Sequence, residues 1–408
     1  MSESNFTTKF LKIFGIDNRG HNRRDPLNVW VPLVSIVLAL IVSMIVIAAS
    51  GRNPFRAYAL LFGDSGLIPG GAAWRREFAE LLIKSAMYIA TGLSVALAFK
   101  GGLFNIGAEG QFWVGAIVAT FFGYWAPVAH TFGAMYAALG SFGWIAQLLH
   151  GAICIIMGML AGGAWAAVAG FLYVKRGVNI VIGTIMLNWI AWFLITSWLV
   201  TFNGPMTPAS QTFTFGSFYV ADTAKLLRIM MPTRLNTSIL LVLLAAYATW
   251  FLLYKTTIGY EIRAIGYTAN IGMETPRAQG INISRRIMQL MTISGALAGL
   301  GGCFFILGMQ YQFPGTAIMG YGWTGIGVAL IGQSEPLGVV LAGLFIGALR
   351  TGATSMQVAN IPKTFSNIIE GLAVGFIALQ VAVRYYLVKI IQHRRARRAP
   401  PAGQEAAV

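Results

Sequence analysis

Little in this 408-residue chain is equipped to make or break bonds. Its four histidines, His21, His130, His150 and His393, are scattered. No HExxH, CxxC or nucleophile-elbow pattern occurs. There is no Gly-Lys dipeptide, so the usual phosphate loop is absent, and any ATP that drives this protein binds another subunit. Cys154 and Cys303 lie in apolar runs with no Cys or His at metal spacing, and read as small core residues. No cofactor or metal is expected on the chain. What remains is a handful of polar groups set in apolar sequence. Glu109 and Glu370 are the carboxylates among them, and such a group is costly unless paired or hydrated. Glu109 stands at a helix start, where it could serve function or simply oppose the macrodipole. Glu370 reads more readily as an interfacial residue.

The densest polar cluster lies in residues 97–115, LAFKGGLFNIGAEGQFWVG. Gly101, Gly102, Gly107 and Gly110 permit irregular backbone there, and Asn105, Glu109 and Gln111 supply donors and acceptors. Irregular backbone at membrane depth survives only where it is buried in protein or lines a cavity. Interrupted apolar segments are also the best sequence pointer to a substrate path. A second interruption runs from Gly322-Trp323-Thr324-Gly325-Ile326-Gly327 to Pro336. Asn105, Glu109, Gln111 and Trp323 are therefore candidate pathway residues.

The elements that must hold these residues follow from composition. Apolar residues make up 57% of the chain and charged ones only 10%, against about a quarter in soluble domains. A soluble protein of this size could not cover so much apolar surface, which excludes a soluble enzyme, a disordered chain and a disulfide scaffold. The fold class expected is an all-α polytopic membrane protein. Spans of about 20 apolar residues fall near 29–49, 81–99, 111–128, 151–174, 180–202, 237–254, 287–307 and 366–388. The stretch 322–349, interrupted by Gly332-Gln333-Ser334-Glu335-Pro336, reads as one kinked helix or two. Two gives about ten transmembrane helices, some broken.

The net charge of +16 could suggest nucleic acid, but in a membrane protein it reads as the positive-inside bias, and no nucleic-acid partner is expected. Basic residues crowd both the head, 1–28, and the tail, 389–408, which holds Lys389, Arg394, Arg395, Arg397 and Arg398. Both termini are therefore expected in the cytoplasm, flanking a transmembrane domain over 29–388 in the lipid bilayer. No signal peptide is expected, because residues 1–28 are polar and the first apolar run is too long for one. On this topology 50–80 and 203–236 face outward, and 255–286 is the longest cytoplasmic loop. The glycine pairs Gly158/Gly162, Gly295/Gly299, Gly343/Gly347 and Gly371/Gly375 predict close helix packing. Phe213, Phe215, Tyr311, Phe313 and Tyr321 read chiefly as interfacial belt residues.

The cluster at 97–115 closely resembles the signature of permease subunits of ABC importers for nucleosides and simple sugars, in the branched-chain amino acid/ribose-type permease superfamily. The version Phe104-Asn105-Ile106-Gly107-Ala108-Glu109-Gly110-Gln111 resembles the longer of two paired nucleoside permeases. Further likenesses follow in order: Gly183 to Asn188-Trp189, Gly259 to Gly266, Gly280-Ile281, Ser294 to Leu300, Gly325 to Leu330, and Pro336-Leu337-Gly338. They cover roughly residues 85–380. The chain departs from the pattern where Ile180 follows Asn179, since an acidic residue is usual there. It departs again in YTANIGMETPRAQ, which is longer than the usual loop and has Thr275-Pro276 where alanines are expected.

The resemblance implies a bacterial inner-membrane, multi-pass subunit that performs no catalysis itself. It implies cytoplasmic ATPase subunits as partners, a second related permease and an external binding protein that delivers the nucleoside or sugar. It adds Asn188 to the pathway candidates. It also makes 255–286 the ATPase-coupling loop, with Glu261, Arg263, Gly266, Arg277 and Gly280 as coupling residues and Glu274 as a further anchor. An ion-coupled secondary transporter or channel for a small polar solute is the alternative, disfavoured by the sparse intramembrane charge.

Overall fold

The computed structural model describes residues 27–70, 73–209, 216–269, 274–315, 320–358, 360–362 and 364–379. The basic head up to residue 26, the basic tail from 389, and Phe213 and Phe215 lie outside the described residues. Among the described residues the fold is helical with no strand, only two isolated bridges, Gly216–Pro314 and Arg228–Asn236.

In chain order the helices are α1 (Leu27–Ala49), α2 (Pro54–Gly63), α3 (Trp74–Lys100), α4 (Ala108–Tyr124), α5 (Ala126–Leu139), α6 (Trp144–Arg176) and α7 (Ile180–Leu194). Then come α8 (Ser238–Lys255), α9 (Thr257–Thr268), α10 (Glu274–Ala278), α11 (Ile283–Phe305), α12 (Tyr321–Ile331), α13 (Pro336–Val358) and α14 (Thr364–Ala378). Short π turns extend α7 to Leu199 and α11 to Gln310.

Six of these helices are long and apolar enough to cross a bilayer: α3, extended α7, extended α11, α6, α8 and α13. The pair α4–α5, bent by 58° at Trp125, makes a seventh if taken as one span. The count of ten expected from sequence is not reached among the described residues. The stretch 322–349 does form two helices, but α12 has only 11 residues and is too short to span alone. The chain breaks there because Gln333 and Ser334 both take left-handed backbone, with φ of 53° and 55°. Hydrogen bonds from Ser334 N to Ala329 O (2.8 Å) and from Val339 N to Glu335 O (2.8 Å) close one helix and open the next.

Helix α3 forms the axis. It carries no proline and no glycine but Gly92, and 89% of its apolar window is buried, with 83% for α11. The same share is 33% in α6 and α8, which lie at the periphery. A helix apolar on all sides belongs in the middle of a bundle. Close approach is what the glycine pairs provide. A Cβ on Gly162 would stand 2.6 Å from Gly295 O, and one on Gly299 2.7 Å from Gly158 O, so α6 and α11 touch backbone to backbone. Gly343 and Gly347 likewise pack on Ile89 and Ser85 of α3. The pair Gly371/Gly375 differs: nothing lies within 4 Å of either Cβ position, so the packing expected there is not observed.

Overfilling a tight helix contact costs about 1–3 kcal/mol. Gly299→Leu should lower the thermal unfolding midpoint of the detergent-solubilised protein by several degrees, whereas Gly375→Leu should leave it unchanged.

Candidate functional site

Helix α3 ends at Lys100, where Gly101 and then Gly102, at φ +75°, turn the chain back into the bundle. Residues 103–107 run inward without helical structure, and α4 starts at Ala108. Leu103 N bonds back to Ala98 O (3.0 Å), Gly107 O accepts from Gln111 N (3.0 Å), and side chains meet further polar groups of the segment. Asn105 and Gln111 exchange two amide hydrogen bonds, Asn105 Nδ2 to Gln111 Oε1 (2.9 Å) and Gln111 Nε2 to Asn105 Oδ1 (3.0 Å). Asn105 also donates to Ser294 Oγ of α11 (2.8 Å), and Ser294 donates to Ser94 O of α3 (2.8 Å). Asn188 of α7 clamps the turn from the other side. It donates to Ile106 O (2.9 Å) and accepts from Gly110 N (2.8 Å), an orphan donor of α4's first turn. Asn105, Gln111 and Asn188 are all buried, and each faces protein.

Glu109 is 2% exposed. It sits in the first turn of α4, but its carboxylate is spent on another helix. It accepts from Gly320 N (2.7 Å), Gly322 N (2.6 Å) and Trp323 N (3.3 Å), the amino end of α12, and from Trp113 Nε1 (2.9 Å). Carboxylates are stabilised at helix N-termini by orphan N–H groups and the dipole. Here two such termini meet at one carboxylate. Aromatic rings seal the joint: Tyr321 stacks on Phe112 at 5.0 Å and on Tyr88 at 5.5 Å. Trp323, on the outer side of this first turn, is 44% exposed. Four of the five pathway candidates thus form one buried framework, and Trp323 faces outward from its edge.

At the other end of α12 a second junction forms. Glu335, in the break before α13, takes Lys100 Nζ at 2.7 Å and the Tyr254 hydroxyl at 2.7 and 2.6 Å. Lys100 closes α3 and Tyr254 lies in the last turn of α8. Arg263 of α9 lies over the Tyr254 ring, 5.0 Å from its centre. The two sequence interruptions are therefore tied together beside the 255–286 loop.

That loop contains α9, which Thr256 caps by accepting from Gly259 N (3.1 Å). Gly259, Ile262, Ile265 and Gly266 bury one face. Gly266 has no room for a side chain, because a Cβ there would collide with Lys100 O. Glu261 is gripped by Arg286 of α11 through Nε (2.6 Å) and an NH2 bond (2.8 Å). The guanidinium holds the Glu261 carboxyl below the usual carboxylate range. The tie is therefore fully present above the ordinary value of about 4.3 and is lost as pH falls through the lowered one. Arg277 of α10 and Gly280 after it are exposed. The Glu274 side chain lies outside the described residues. Sequence reasoning missed the outward face of α9, where Tyr260 and Tyr267 are 55% and 50% exposed at i, i+7 spacing. The spacing was there to be read once the helix bounds were known. Glu370 also has a partner the sequence did not suggest, Arg350 NH2 at 2.6 Å.

With this geometry in view, comparison with known proteins is specific. Residues 78–379 match the family described as branched-chain amino acid transport system / permease component. The guanosine ABC transporter permease protein NupP of Bacillus subtilis is 32% identical over 88% of this chain and 96% of its own length. The nucleoside ABC transporter permease protein NupB of Lactococcus lactis is 31% identical over 93% and 98%. A glucose ABC transporter permease protein of Haloferax volcanii is 30% identical over 90% and 92%. No solved structure matches the chain.

The cap on α12 makes a graded expectation. Glu109→Ala strands buried N–H groups, each worth about 1–3 kcal/mol when unsatisfied. It should lower the unfolding midpoint markedly, and Glu109→Gln, which keeps one acceptor oxygen, should fall between it and the parent.

Proposed function

This chain belongs to the branched-chain amino acid transport system permease family, and on that premise we propose that it is the membrane-spanning subunit of an ATP-binding-cassette importer. It carries nucleosides, handed over by an external binding protein, across the bacterial inner membrane. A separate ATPase supplies the energy, and a second, related permease completes the path. Both termini lie in the cytoplasm, the membrane domain has about ten transmembrane helices of which some are broken, and 255–286 is the ATPase-coupling loop. ATP and its site belong to the partner.

The observation that carries this reading is the seating of α9. Its buried face rests on the end of α3 through Gly266, and its middle is tied by Glu261–Arg286 and by Arg263 over Tyr254. Its other face offers Tyr260 and Tyr267 outward, beside the exposed Arg277 and Gly280. A short helix held rigidly on one side and bare on the other suits a docking element that passes motion inward. Of the coupling residues expected from sequence, Glu261, Arg263 and Gly266 then act by positioning α9, and Arg277 and Gly280 meet the ATPase. Asn105, Gln111, Asn188 and Glu109 act by holding the broken helices through which that motion reaches the pathway, with Trp323 facing the solute.

The glucose permease relative from Haloferax volcanii favours a second reading, a simple sugar as cargo. Both readings are tested by purifying the tagged chain in mild detergent and reconstituting what co-purifies. An ATPase should co-purify, and vesicles should accumulate labelled guanosine only with ATP, in a vanadate-sensitive manner. Glucose competing as well as guanosine would favour the sugar reading. Uptake that needs no ATPase and collapses with an ionophore would overturn both in favour of an ion-coupled carrier.

A further inference from the structure

A cleft of about 370 Å3 opens beside the capped end of α12. Trp323, Thr324 and Gly327 line one wall, and Arg350 of α13 with Asn367, Glu370 and Gly371 of α14 the other. Its polar edge is already organised. Arg350 donates to Glu370 Oε2 (2.6 Å) through NH2 and to Asn367 Oδ1 (2.6 Å) through NH1, with Thr324 Oγ1 3.5 Å from NH2. Arg350 Nε is buried with no hydrogen-bond partner among the described residues. The cleft lies well away from the coupling loop: Arg350 is fourteen residues along α13 from Pro336, about 21 Å at helical rise. In a helix of spanning length, an arginine paired with a carboxylate and an amide is expected to face the bundle or a wet path rather than lipid. Glycine at 371 leaves the cleft open, since nothing lies within 4 Å of its Cβ position.

We propose that this cleft is a transient binding site for a nucleoside, with the base flat against Trp323 and the sugar hydroxyls on the Arg350–Glu370–Asn367 edge. The proposal rests on the importer reading and names where its cargo touches this chain. The chemistry selects the ligand. Arg350 and Glu370 cancel in charge, so a neutral solute is preferred over a phosphate ester or a carboxylate. The edge presents donors and acceptors together, as hydroxyl groups require. The half-exposed indole offers a flat apolar face, which stacks a base and has less to hold on a sugar alone. Glu109 enters as a positioning residue, because its hold on Gly320, Gly322 and Trp323 fixes the turn that carries the indole.

The test uses the assembled importer in vesicles without ATP and a Gly371→Cys thiol. The native thiols, Cys154 and Cys303, are fully buried and give little background. A charged methanethiosulfonate should label the new thiol, and saturating guanosine should slow labelling at least about threefold while glucose does not. No labelling, or labelling indifferent to guanosine in an importer that still takes guanosine up, would overturn the cleft and leave the importer reading standing. Failure of that reading shows separately, as absence of ATP-dependent guanosine uptake by the parent chain. Trp323→Ala provides the second readout: KM for guanosine should rise at least about fivefold with a smaller change in maximal rate. An unchanged KM would overturn the proposal.

Discussion

Glu109 brings a carboxylate into the middle of an apolar bundle and forms no ion pair among the described residues. Its charge is met only by N–H donors, and three of the four belong to the backbone where α12 begins. A buried charge tolerates few arrangements of such donors. So the place where one helix starts determines the place where another starts. The inward run of 103–107, the clamp by Asn188 and the amide exchange of Asn105 with Gln111 are what that junction needs to exist without stranded polar groups.

Helix α12 is then held at both ends. Eleven residues give it a length of about 16 Å, half a membrane. At one end Glu109 fixes it beside the Trp323–Arg350 cleft. At the other, Glu335 receives Lys100 and Tyr254, and Tyr254 lies under Arg263 of α9. A short helix pinned by polar contacts at both ends moves as a unit. On the proposed function, a shift of α9 would reach the cleft without remodelling the α6–α11 contact, where glycines bring backbone against backbone.

Much of this was legible in the sequence. Two interruptions were visible as glycine and polar residues in apolar runs, at 101–107 and from Gly322 to Pro336; the structure breaks its helices at the first and, in the second, only at 332–335, since Gly322 to Gly327 lie inside α12. Composition gave the helical membrane class. The glycine pairs pointed to close helix packing, which Gly158/Gly162 and Gly295/Gly299 make between α6 and α11; which helices would meet was not legible. At Gly371/Gly375 the spacing is identical, but no described residue lies within 4 Å of either Cβ position. What stayed hidden were pairings between distant residues: Lys100 with Glu335, Glu261 with Arg286, Arg350 with Glu370. Separations of 235, 25 and 20 residues leave no local signature. Glu109 was singled out as a pathway carboxylate or a partner of its own helix's dipole, and its service to α12 depends on tertiary packing alone. The count of ten helices is not reached among the described residues, in part because hydropathy does not register a helix that stops halfway, as α12 does.

The claim on which the account turns is that α12 carries motion from the loop to the cleft through Glu335. The direct measurement is the number of ATP molecules hydrolysed per guanosine imported by the reconstituted importer bearing Glu335→Gln, which keeps the side chain's shape and removes the charge that holds Lys100. The account predicts that hydrolysis continues while import falls, raising the ratio at least about tenfold. A ratio equal to that of the parent would contradict it.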